Sequence, residues 1–92
     1  MAQEVLVQEL EVKNIKGIHA RAAAAFVKTA ESFDAEITVE RIGQEVSGHS
    51  IMGLMMLAAA KGTTIKVSAK GSQAKEAMEA IAKLINDKFG ED

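Results

Sequence analysis

The stretch TIKVSAKGSQAKEAMEAIAKLI, residues 64–85, changes its hydrophobic period at Gly71. Before this glycine, Ile65, Val67 and Ala69 alternate with polar residues, which predicts a strand at residues 64–70 with one buried face. After it, apolar residues recur at the spacing of one helix face: Ala74, Ala77, Met78, Ile81, Leu84 and Ile85. A strand and a helix with one apolar face each bury both faces most simply when the helix packs on the sheet.

The same two spacings of apolar residues, one typical of strands and one typical of helices, identify the other elements of the chain. The predicted elements are, in order, a strand at residues 5–12, a helix at 20–32, a hairpin with strands at 36–41 and 44–47, and a helix at 50–61. Gly43 supplies the tight turn of the hairpin, Ser50 the N-cap of the next helix and Gly62 its end. The order β-α-β-β-α-β-α predicts an α+β fold, a two-layer open-faced sandwich with helices on one face of a mostly antiparallel sheet.

Length and composition narrow the class of protein. Ninety-two residues, 48% of them hydrophobic and with no internal linker, predict a single globular domain over residues 1–92. The net charge of −2 argues against a nucleic-acid partner, and the absence of cysteine excludes disulfides and cysteine-bound zinc. The most apolar stretch, residues 51–60, is too short for membrane insertion as a spanning helix. We therefore expect a soluble, cytoplasmic protein.

Few side chains are candidates for chemistry. His19 and His49 are the two histidines, and neither has a second ligand at metal-binding spacing, so no metal site is expected. The glycine-rich loops that bind nucleotides and the serine motif of hydrolases are also missing from the sequence. The chain therefore carries no signature of a bound cofactor or of a turnover enzyme.

The segment Gly17-Ile18-His19-Ala20-Arg21 lies where a predicted loop becomes a predicted helix. His19 falls at or next to the N-cap, where free backbone N–H groups and the positive end of the helix dipole attract anions. The same dipole favours a neutral, nucleophilic imidazole, and Arg21 on the first turn can donate to a phosphate. These features agree with phosphoryl transfer through His19. A capping histidine beside a solvated arginine is the simpler interpretation, and local chemistry alone does not decide.

Two separated motifs resemble those of a known family. Residues 17–21 read GIHAR and precede small residues and Phe26-Val27, while residues 50–55 read SIMGLM and residues 60–62 read AKG. Both motifs and the order of elements are similar to HPr, the histidine-containing phosphocarrier family of the bacterial phosphotransferase system. The resemblance extends over nearly the whole chain. It implies a four-stranded antiparallel sheet with three helices on one face.

The resemblance implies a relay role for the first motif. His19 would accept a phosphoryl group from enzyme I on a ring nitrogen and donate it to an enzyme IIA domain. Arg21 would stabilise this phosphoryl group, and Ala20 would bind it at the start of the helix. The protein would then be a phosphoryl carrier that forms a phosphohistidine, rather than an enzyme.

The resemblance also implies roles for residues of the helix predicted at residues 50–61. Ser50 matches the regulatory serine that a dedicated HPr kinase/phosphorylase modifies in many members of the family. The partner-binding patch is implied to contain four residues: Ala20, Ile51, Met52 and Met55. We expect the three residues of this patch on the helix to be largely exposed, and Leu54 and Leu57 to be buried.

The chain departs from the family where Ala22 stands in place of a common proline. Alanine is the best helix former, so we expect the helix to form. This change, together with the sequence around His49, is more similar to the nitrogen-related branch of the family and leaves a role in sugar uptake open. We interpret His49 as solvent-exposed and without a catalytic role, and the protein as a monomer.

Two alternatives to the relay also stay open. One is a regulatory interaction module that acts through phosphorylated Ser50 and the Ile51, Met52 and Met55 patch. The other is an unrelated small α+β domain that binds a ligand. The intact histidine motif argues against both.

Overall fold

The computed structural model describes residues 5–91. Within this range the elements follow the predicted order: β1 (Val5–Glu11), α1 (Ala20–Glu31), β2 (Glu36–Arg41), β3 (Gln44–Ser47), α2 (Ile51–Met56), β4 (Thr64–Lys70) and α3 (Ala74–Asn86). A short turn, Lys88–Gly90, follows α3 and is called the C-terminal turn below. The prediction of one domain covers residues 1–92, of which residues 1–4 and 92 lie outside the described part.

The strands form one antiparallel sheet in the order β1-β4-β2-β3. β4 is central, so that Val67 pairs with Gln8 of β1 on one side and with Val39 of β2 on the other. The alternation in β4 places Ile65, Val67 and Ala69 on the face that the helices cover, where all three are fully buried. The structure therefore confirms the predicted α+β open-faced sandwich.

The core lies between this sheet face and the helices. The buried residues of α1 are Ala22, Ala23, Phe26, Val27 and Ala30. Those of α3 are Ala74, Ala77, Met78, Ile81 and Ile85. Both sets follow the 3.6-residue period, so each helix contributes one apolar stripe. Among residues 5–91, the one buried polar side chain is Asn14, in the loop before α1.

Helix α2 is shorter than the helix predicted at residues 50–61. Ser50 is its N-cap, as predicted, and accepts a hydrogen bond from the backbone N–H of Gly53 at 3.0 Å. The helix ends at Met56, however, with Leu57 as C-cap and a left-handed backbone at Ala58, where φ is +50°. The prediction of a helix up to residue 61 was wrong.

Tertiary hydrogen bonds explain this early end. The carbonyl of Ala59 accepts the N–H of Ile18, in the loop before α1, at 2.9 Å. Gly62 does not follow a helix end, and its N–H donates instead to the carbonyl of Val12 at 2.7 Å. In a helix that continued to residue 61, the N–H of Gly62 would donate to the carbonyl of Ala58, so its pairing with Val12 replaces a helical hydrogen bond and takes precedence over local helix propensity.

Smaller differences concern single residues at element ends. β1 ends at Glu11 and α1 at Glu31, one residue before the predicted ends in each case. Within residues 5–91, no helix has the length and apolar character needed to cross a bilayer.

Candidate functional site

The ring of His19 sits at the start of α1. His19 is the N-cap, with φ −86° and ψ −176°, and its carbonyl accepts the N–H of Ala23 at 2.8 Å. Its Nδ1 atom accepts the backbone N–H of Arg21 at 3.3 Å. The imidazole therefore lies at the positive end of a 12-residue helix, as the sequence predicts.

Close packing of two loops determines where His19 lies. Gly17 has φ +67°, and a Cβ atom on it would collide with the carbonyl oxygen of Ala59 and approach the Cα of Ala60 to 2.9 Å. Ile18 is buried, and its N–H donates to Ala59. The glycine is needed here for both its conformation and its small size.

We expect Gly17→Ala to destabilise the protein by about 2 to 4 kcal/mol, which combines left-handed strain with overpacking against backbone. The matched control is Gly62→Ala: Gly62 also has a positive φ of +89°, but a Cβ atom there meets nothing within 4 Å. The Gly62→Ala variant should be destabilised by the conformational strain alone, about 1 kcal/mol. Urea unfolding measures both changes. Equal losses in the two variants would show that contact with Ala59 is unimportant.

The other side of the imidazole contacts a residue that the sequence analysis did not identify. Nε2 of His19 lies 2.5 Å from Oε2 of Glu91, just after the C-terminal turn. Asn14 connects this carboxylate to the loop before α1, because its Nδ2 donates to Oε1 of Glu91 at 3.0 Å and to the carbonyl of Gly17 at 2.7 Å. The histidine is thus held between the start of α1 and the end of the described chain.

The surroundings of Glu91 favour its ionised form. The pKa of its carboxyl lies below the ordinary value, mainly because the Asn14 amide donates to it. Partial burial acts against this shift, while the contact with His19 and the charge of Lys16 act with it. The sequence gives little signal for Glu91, since its contacts with Asn14 and His19 span 77 and 72 residues.

An open cleft of about 340 Å³ adjoins this cluster. Its lining residues are Ile15, Lys16, Arg21, Gly90 and Glu91. Arg21 is exposed on the first turn of α1, and Ala20 beside it is also exposed. Lys16 and Arg21 bring positive charge to this cleft and Glu91 brings negative charge, and the roles of Arg21 and Ala20 stay predictions.

Helix α2 divides its apolar residues between core and surface. Leu54 and Leu57 are buried, while the exposed fractions are 41% for Ile51, 74% for Met52 and 43% for Met55. This confirms the predicted burial pattern, and we call Ile51, Met52 and Met55 the α2 patch. α2 packs against α1, the helix that begins at His19. Partner binding by the α2 patch and modification of Ser50 stay predictions.

His49 is not the solvent-exposed residue that we predicted. It is half-buried, and its Nε2 accepts the backbone N–H of Ile37 at 3.3 Å. Its own N–H donates to Oγ of Ser47 at 3.1 Å. The side chain thus ties the loop before α2 to β2, and this contact was not foreseen because it joins two elements across a turn. The interactions of His49 are structural.

Comparisons with known proteins agree with this architecture. The sequence profile of a family described as "PTS HPr component phosphorylation site" matches residues 6–87. The phosphocarrier protein HPr of Neisseria meningitidis is 49% identical over 87 residues, which cover 95% of this chain and 98% of that protein. HPr of Xylella fastidiosa is 43% identical over 88 residues, covering 96% and 99%.

Solved structures give the same result. HPr from Thermoanaerobacter tengcongensis superposes with a TM-score of 0.90 at 44% identity, covering 95% of this chain and 98% of that one. A structure described as an HPr dimer from the same organism has a TM-score of 0.75 at 46% identity, covering 89% and 94%. The monomeric state expected from the sequence therefore stays a prediction. By sequence and by fold, the chain belongs to the HPr family of phosphocarrier proteins of the phosphotransferase system.

Proposed function

We propose that this chain relays a phosphoryl group from phosphorylated enzyme I, through His19, to an enzyme IIA domain. The observation that carries the proposal is the position of His19 as N-cap of α1, with its Nδ1 accepting the backbone N–H of Arg21. Backbone N–H groups at a helix start bind phosphate oxygens, so the nucleophile and the anion site coincide. We assign the relay to the cytoplasm, in keeping with the family.

The hydrogen bonds support Nδ1 as the nucleophilic atom. An N–H of the backbone points at Nδ1, which must therefore be unprotonated, and the ring proton lies on Nε2. In the transfer, the lone pair of Nδ1 releases the hydrogen bond from the N–H of Arg21 and forms a bond to phosphorus. The bond between phosphorus and the donor breaks, and its electron pair stays on the donor. In the second transfer, a nucleophile of the enzyme IIA domain bonds to phosphorus, and the bond between phosphorus and Nδ1 breaks with its electron pair returning to Nδ1. The chain is thereby a carrier of the phosphoryl group.

Arg21 is the side chain that we propose to stabilise the transferred group. We expect Arg21→Ala to slow phosphoryl transfer about tenfold, because a charge-assisted hydrogen bond in the transition state is lost at a solvent-exposed position. The measurement is the single-turnover rate of phosphorylation by enzyme I. Lys28→Ala, which removes an exposed cation from the last turn of α1, is the matched control and should leave the rate unchanged. Equal rates for both variants would remove Arg21 from the site.

We propose the α2 patch as the surface that contacts enzyme I and the enzyme IIA domain. Four large apolar side chains of this short helix are exposed, the three of the α2 patch and Met56, and such a concentration on a surface commonly binds proteins. Phosphorylation of Ser50 by an HPr kinase/phosphorylase would place charge beside Ile51 and Met52 and weaken this contact. The proposed regulation acts on the relay and does not replace it.

Incubation with phosphoenolpyruvate and purified enzyme I tests the relay. We expect one acid-labile phosphoryl group per chain, and its loss when an enzyme IIA domain is added. Using enzyme I from the sugar branch and from the nitrogen-related branch distinguishes the two systems by rate. A chain that takes up no acid-labile phosphoryl group from either enzyme would contradict the proposal.

A further inference from the structure

Glu91 lies beyond residues 6–87, the part of the chain that the family profile matches, yet it contacts the central histidine. Its Oε2 atom is 2.5 Å from Nε2 of His19, and the two side chains are 15% and 29% exposed, respectively. At this distance the hydrogen bond is short, and limited exposure protects it from competition by water. The contact is therefore part of the environment in which the imidazole reacts.

The C-terminal turn is built to hold Glu91 in this place. Lys88, Phe89 and Gly90 all have left-handed backbone conformations, with φ of 58°, 56° and 74°. Two of these residues are not glycine, so the conformation is unfavourable by itself and needs compensation from the rest of the fold. Burial of Phe89, which is 9% exposed, supplies a hydrophobic anchor directly before the carboxylate.

Asn14 fixes the carboxylate from the opposite side. Its Nδ2 donates to both the carbonyl of Gly17 and Oε1 of Glu91, and both partners are acceptors. The amide therefore cannot rotate to present its oxygen without breaking both hydrogen bonds. Complete burial of Asn14 adds to this constraint. The second oxygen of Glu91 is thereby left directed at His19.

We propose that Glu91 is a positioning residue for phosphoryl transfer, an inference that rests on the proposed relay. Its carboxylate accepts a hydrogen bond from the Nε2–H of His19, which keeps Nδ1 unprotonated and directed at the start of α1. When Nδ1 bonds to phosphorus, the ring retains the Nε2 proton and gains a positive charge, and the carboxylate beside it balances this charge. No proton is transferred in this step.

The charges around the cluster agree with this role. Lys16 and Arg21 line the adjoining cleft and are available to the phosphoryl oxygens, whereas the carboxylate faces the ring proton. Glu91 also lines this cleft, so the site combines a carboxylate that is hydrogen-bonded to the ring with two cations nearby. The carboxylate of a catalytic triad acts in a similar way, by holding a histidine in one tautomer and stabilising its charged form.

Glu91→Gln tests the proposal because it changes hydrogen-bond polarity at nearly constant size. Asn14 still requires an acceptor at its Nδ2, so the glutamine oxygen faces Asn14 and the glutamine NH₂ group faces Nε2 of His19. A donor at this point favours the tautomer with the proton on Nδ1. We expect the ¹⁵N NMR signals of His19 to shift from the Nε2–H form towards the Nδ1–H form. Phosphorylation by enzyme I should slow about tenfold or more.

Two further variants make the outcome decisive. Glu79→Gln removes a carboxylate from the exposed face of α3 and should change neither the tautomer nor the rate. Glu91→Ala removes the contact without adding a donor, and we expect a mixture of tautomers with an intermediate rate. Circular dichroism of each variant confirms that the fold is retained.

The NMR measurement needs no enzyme I, so it separates this proposal from the relay itself. Suppose that the parent chain accepts a phosphoryl group and that Glu91→Gln still shows the Nε2–H tautomer of His19. This result would overturn the positioning role of Glu91 and leave the relay intact. A parent chain that accepts no phosphoryl group would overturn the relay, and the role of Glu91 in transfer with it.

Discussion

Replacing His19 with alanine is expected to abolish uptake of an acid-labile phosphoryl group from enzyme I and phosphoenolpyruvate. The imidazole supplies the atom that bonds to phosphorus, and the described residues that line the adjoining cleft include no second imidazole, hydroxyl or thiol. The loss should therefore be complete, not partial. Intact-protein mass spectrometry before and after acid treatment measures the uptake.

The fold should survive this substitution. The side-chain cap that His19 provides is a single hydrogen bond of 3.3 Å, and loss of an N-cap typically costs about 1 kcal/mol. His49→Gln is the matched control, since it alters the other histidine, whose contacts are structural. Acid-labile uptake by His19→Ala would contradict the relay. Acid-stable uptake that requires Ser50 would instead support a regulatory interaction module.

The second large effect is expected for Met52→Glu in the α2 patch. Met52 is 74% exposed and lies in the first turn of α2, where a carboxylate is favourable for the helix, so stability should change little. In a complex, the same change removes an apolar anchor and brings a charge into the interface. We expect the Kd for enzyme I to rise about 30-fold or more, the effect of losing a binding hot spot of 2 kcal/mol.

Isothermal titration with enzyme I measures this loss, and thermal melting measures stability. The control is Val7→Glu: Val7 is 55% exposed and follows Leu6, which packs on the core, so it lies on the opposite face of the sheet from α2. This variant should bind like the parent chain. If both variants bind equally well, or if Met52→Glu unfolds, the α2 patch is not the docking surface.

Local sequence pattern predicted the fold because each element carries its own period. The alternation of Ile65, Val67 and Ala69 identifies β4, and burial of all three in the structure follows directly from it. The pattern failed where a tertiary contact overrides local preference. Residues 57–61 favour a helix by composition, but α2 ends at Met56, and the N–H of Gly62 pairs with the carbonyl of Val12 instead of with Ala58.

The candidate site was predictable only in part, for a similar reason. His19 and Arg21 are adjacent in sequence to a helix start, so their position follows from local structure. Asn14 and Glu91 reach the histidine through contacts that span the whole domain, and no short-range pattern reports them. His49 was misjudged because its partner, the backbone N–H of Ile37, belongs to another element.

The most direct test of the central claim is the location of the phosphorus atom in the phosphorylated protein. A chain labelled with ¹⁵N in its histidines, phosphorylated by enzyme I and examined by ³¹P and ¹⁵N NMR, reports which nitrogen is bonded to phosphorus. We expect scalar coupling between phosphorus and Nδ1 of His19. Coupling to Nε2 of His19 or to His49, or a phosphorus signal without nitrogen coupling, would contradict the account.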